Sequence, residues 1–75
     1  MNTIKEVKKT LKSLNVNKEV AGFIIGYMDV LSAAYKDHNM LLLKFDSLLK
    51  HFLNSSQITE HQYNKLYNSV LNALF

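Results

Sequence analysis

The chain has 75 residues, near the lower size at which a hydrophobic core holds a fold unaided. It has no cysteine and no proline, and its only glycines are Gly22 and Gly26, which excludes a disulfide framework, a thiolate metal site and most strand-and-turn punctuation. The formal charge of +3 is unevenly placed: residues 1–18 carry five lysines against Glu6, the remainder four lysines against five carboxylates, and arginine is absent.

Four helices are predicted, in a single domain over residues 1–75. The first opens at Thr3, with Glu6 three residues on as a reciprocal capping box. Ile4, Val7, Leu11 and Leu14 recur at helical spacing, while Lys5, Lys8, Lys9 and Lys12 gather on another face. Asn15-Val16-Asn17 breaks the pattern, because asparagine competes for the backbone and tolerates the left-handed region. The second helix is capped by Asn17 and runs to about Lys36, with Val20, Phe23, Ile24, Tyr27, Leu31, Ala34 and Tyr35 as its stripe. Ala21, Ile25, Met28 and Val30 extend its apolar surface around most of the circumference, which predicts the central helix of the assembly.

Asp37-His38-Asn39 forms the next break. The third helix follows on Leu41, Leu42, Phe45, Leu48, Leu49, Phe52 and Leu53, and Asn54-Ser55-Ser56-Gln57 ends it. The fourth has the most complete start signal: Thr59 and Gln62 form a capping box, and Ile58 stands as a hydrophobic staple for Tyr63. Tyr63, Leu66, Tyr67, Val70, Leu71 and Leu74 then repeat at helical spacing. Short connections make antiparallel neighbours, so the fold class is all-α, a small antiparallel four-helix bundle.

Several function classes fall away on this reading. There is no cysteine nucleophile, no serine in a Gly-x-Ser-x-Gly turn and no phosphate-binding glycine loop, so an enzyme is not expected. His38, His51 and His61 could build a metal site with Asp37, Asp46 or Glu60, but without His-x-x-x-His or Glu-x-x-His spacing they read as surface histidines. No metal or cofactor is expected. The most apolar stretch, Val20 to Tyr35, is short of the ~20 residues of a membrane span and carries Asp29, taken to lie on a narrow solvent face. The charged, periodic first residues do not resemble a secretory signal, and a cytoplasmic location is expected.

Gly22 and Gly26 form a Gly-x-x-x-Gly step, which lets another backbone approach closely. Tight packing within the bundle is the favoured reading, and a dimer seam the other, so the chain is a monomer or a homodimer. The lysine face admits three roles: phosphate binding, docking at a membrane surface, or simple solvation. Base-specific reading leans on arginine, and a helix-turn-helix laid over residues 18–37 would present Asp29 to DNA, so nucleic acid fits poorly.

Residues 41–74 carry a family resemblance, in Leu48-Leu49-Lys50-His51-Phe52-Leu53 and, after a polar break, Ile58-Thr59-Glu60-His61-Gln62-Tyr63-Asn64-Lys65-Leu66. This segment resembles the immunity proteins of pediocin-like bacteriocins, the enterocin A immunity type in particular; the first half is similar in helix order and charge. The resemblance implies a small cytoplasmic four-helix bundle that protects a producer cell. It would engage, from the inside, the membrane sugar-permease that the bacteriocin attacks. Family members continue into a C-terminal tail involved in recognition, whereas this chain stops at Phe75. The contact residues read from the sequence are Lys5, Lys8, Lys9 and Lys12 on the first helix, and Tyr63, Tyr67 and Phe75 on the last; Tyr63 and Tyr67 also lie on the core stripe. The alternative is a phage- or plasmid-encoded inhibitor or regulator that binds a host protein or nucleic acid. A structural homodimer through the second helix is a third.

Overall fold

The computed structural model describes residues 3–75, which form α1 (Thr3–Leu14), α2 (Lys18–Ala34), α3 (His38–Asn54) and α4 (Glu60–Leu74). Among the described residues there is no strand, and the all-α four-helix bundle is the fold. It measures 29 × 21 × 19 Å. Helices adjacent in sequence pack on one another, and α4 returns to α1 to close the ring. Side-chain pairs fix the directions. Thr10 Oγ1 meets Ser69 Oγ at 2.8 Å and Gln62 Nε2 donates to the Leu14 carbonyl at 3.3 Å, so α1 and α4 are antiparallel. His38 Nδ1 lies 3.1 Å from the Leu74 carbonyl while Tyr63 reaches Asp46, so α3 and α4 are antiparallel as well.

Each helix gives one stripe to a shared core: Val7 and Leu11; Val20, Ile24, Met28 and Leu31; Leu41, Phe45, Leu49 and Phe52; Leu66, Val70 and Leu74. Ile58, just before α4, is buried among them. The spacing in each stripe is the three-and-four alternation that keeps residues on one side of a helix.

The helix ends show why the turns fall where they do. The Asn17 side chain accepts from the amides of Glu19 and Val20, and Asp37 accepts from the amide of Asn39. The predicted break at residues 37–39 is therefore already a cap and the first turn of α3. At α4 both halves of the capping box are formed, with Gln62 N to Thr59 Oγ1 at 3.1 Å and Thr59 N to Gln62 Oε1 at 2.8 Å. The capping box expected at Thr3 does not form: Thr3 is itself helical and its side chain is buried.

Helices α1 and α3 both end in the same hydrogen-bond pattern. Val16 N donates to the Leu11 carbonyl and Asn15 N to that of Lys12; Gln57 N donates to Phe52 and Ser56 N to Leu53. This closure needs a residue at positive φ, which Asn15 (60°) and Ser56 (61°) supply. Serine is the poorer occupant, since a Cβ in the left-handed region costs ~1 kcal/mol and glycine carries no such penalty. Ser56→Gly is expected to raise the melting temperature by about 4 °C, at the low end of the usual shift per kcal/mol for a domain this small. A lower melting temperature in that variant would show that the Ser56 side chain matters more than its backbone.

Two expectations about α2 are corrected. It is not the central helix, because it packs on α1 and α3 and does not reach α4. Its apolar circumference is instead partly uncovered, with Phe23 58% and Val30 63% exposed. Nor do Gly22 and Gly26 serve close packing inside the bundle, since no atom of another helix lies within 4 Å of where a Cβ would stand at either.

Candidate interaction surface

The predicted contact residues divide into three places. Lys5, Lys8, Lys9 and Lys12 are all exposed on α1. Lys8 and Lys12 face α2, where they rim a groove of about 400 Å³ between the two helices; Lys5 and Lys9 stand outside its lining. The groove has an apolar floor of Leu11, Val16, Ala21 and Ile25, and Lys18 completes its rim from the start of α2. Lys18 is absent from the α1 lysine face in the sequence; the Asn15 turn brings it there. No carboxylate lines this groove. A basic rim over an apolar floor is chemically suited to a segment that carries both acidic and apolar side chains.

Tyr63 and Tyr67 lie elsewhere, half-buried along the seam of α3 and α4, which is the opposite edge of the ring from the groove. Their rings stack with centroids 6.2 Å apart. The Tyr63 hydroxyl donates to Asp46 Oδ1, and Lys50 Nζ lies 3.2 Å from the other Asp46 oxygen. That hydrogen bond, together with burial and the nearby charge, pushes the Tyr63 phenol up to about 12. These tyrosines hold the seam, and they do not join the lysines in one surface. Phe75 is 66% exposed at the end of α4, with its ring edge-on to His38 at 6.0 Å. His38 accordingly braces the α3–α4 end.

The remaining candidates separate cleanly. His51 and His61 are exposed on α3 and α4, and Asp29 is exposed on α2. Among the described residues no three histidine or carboxylate groups converge as metal ligands. The cleft between α1 and α4 is spanned by the Thr10–Ser69 hydrogen bond. No described helix is long and apolar enough to cross a membrane. Compared with protein-family models, curated proteins and solved structures, the chain matches none of them.

Proposed function

We propose that this chain is a non-catalytic binding protein that holds an acidic, partly apolar segment of a partner protein in the groove between α1 and α2. The observation that carries the reading is the rim of Lys8, Lys12 and Lys18 over an apolar floor with no carboxylate in its lining. Aligned positive charge of this kind steers an acidic partner and sets its register, while the floor supplies the apolar contact. The resemblance of residues 41–74 to the enterocin A immunity type gives that binding a role: protection of a producer cell from inside, on the complex of bacteriocin and membrane sugar-permease.

The test is survival. A bacteriocin-sensitive strain expressing the chain should resist at least one pediocin-like toxin, and Lys8→Glu/Lys12→Glu should abolish resistance while the purified variant melts as the parent does. Unchanged killing by every pediocin-like toxin tried would sink the immunity role. The same lysines bear on the alternative of a phage or plasmid regulator that binds nucleic acid. DNA affinity that falls steeply from low to physiological salt would favour it, and no binding at low salt removes it.

A further inference from the structure

We infer that the outer face of α2 is a self-association surface, on which a second copy of this chain docks with its own α2 antiparallel. At ~100° per residue, Gly22, Gly26, Val30, Ala33, Phe23 and Tyr27 share one outward arc. Phe23, Tyr27 and Val30 are the large apolar residues that α2 leaves exposed. Phe23 lies edge-on to Phe52 at 5.7 Å and parallel to Tyr27 at 6.3 Å, so these rings are held in place rather than free to fold away. The glycines weaken the helix interior, and a Cβ at either would meet no atom of another element within 4 Å; Gly22 also lines the α1–α2 groove, whereas Gly26 lies outside it, and together they leave room for an approach from outside.

The charges say what approaches. Lys18 and Asp29 lie eleven positions apart on α2, which returns them to the same flank of the arc, ~16 Å apart along the axis. In an antiparallel pair each flank meets its own counterpart. A two-fold axis that sets Gly22 against the partner copy's Gly26 also brings Lys18 within about one residue of the partner copy's Asp29, and does so twice. The two Phe23 rings then straddle the axis on the other flank. Glu19 is the one α2 charge inside the arc; it stands on the Phe23 side of the seam, the flank opposite that of Lys18 and the partner copy's Asp29. A single helix crossing buries less than the ~1,600 Å² of a standard interface, so the dimer is a weak one.

Sedimentation equilibrium over roughly 5 to 1,000 µM covers the range of weak association. Monomer is expected at the bottom and dimer at the top. Gly22→Ala/Gly26→Ala should raise the melting temperature by a few degrees at low concentration, yet weaken association at least tenfold. Lys18→Glu and Asp29→Lys should each weaken association as homodimers, and an equimolar mixture of the two should restore it, because both cross-pairs are then opposite in sign. A monomer at every concentration overturns the inference. So does a mixture that associates no better than its components, or a melting temperature lowered by the alanines. These readouts are taken on the chain alone and need no groove ligand; because Lys18 also lines the groove, Lys18→Glu is expected to weaken groove binding as well, whereas Asp29→Lys lies outside it.

Discussion

Phe45→Ala is expected to lower the melting temperature by about 20 °C, the largest effect of any single side-chain truncation in the bundle. Phe45 is the largest of the fully buried side chains, at 0% exposure near the middle of α3. Removing a buried phenyl ring costs ~3–5 kcal/mol, from lost transfer energy and from the cavity left behind. A domain of this size is stable by only about 4–11 kcal/mol, at roughly 0.05–0.15 kcal/mol per residue, so the loss consumes a large share of the total. Each kcal/mol moves the melting temperature of so small a domain by ~4–8 °C. Leu43 on the same helix is the control: at 58% exposure, Leu43→Ala should change little. Thermal melts followed by far-ultraviolet circular dichroism decide it, and two equal, small shifts would mean that the core is not where the structure places it.

The second large effect is a loss of stability in alkali that passes through Tyr63. Its phenol is pushed up to about 12 in the fold, against 10.0 when free. The fold thus favours the neutral form, which donates to Asp46. Its stabilising contribution is complete below pH 10 and drains away as the pH climbs through about 12. Tyr63→Phe removes the donor at every pH and should cost about 1.5 kcal/mol at neutrality, the low end for a hydrogen bond to a charged group. Between pH 10 and 12 its melting temperature should then fall less steeply than that of the parent, so the two curves converge. Parallel curves would show that the Tyr63–Asp46 bond carries no linkage to pH.

How much of this was legible in the sequence depended on whether a signal was local. The α4 start was fully legible: a Thr-x-x-Gln box and a preceding Ile58 are satisfied within one turn, and both bonds form. The apolar stripes of α1, α3 and α4 were legible because a period of three and four residues has one geometric meaning. The Thr3 cap was not, since a threonine also suits a buried helical position, and only the neighbouring elements decide between the two. For α2, an apolar circumference has two meanings, central burial or an uncovered face. The sequence of one chain cannot show which neighbours are absent. The groove was hidden for a related reason. Lys8 and Lys12 were visible as part of a charged face, but Lys18 joins them only because Asn15 turns the chain at positive φ. Gln62 illustrates the limit well: its capping role was readable, and its bond to the Leu14 carbonyl was not.

The ring of helices has a consequence for how the chain reaches this state. Three of its seams join neighbours through turns of only a few residues, so they close early and cheaply in the time order of folding. The seam between α1 and α4 joins residues as far apart as Glu6 and Ser69, and it is also the most extensive one. Until it closes, the sides of α1 and α4 that meet there stay uncovered, although α1 already packs on α2 and α4 on α3. The rate of folding is therefore governed where the chain's two distant helices meet, away from the α1–α2 groove and from the outer face of α2.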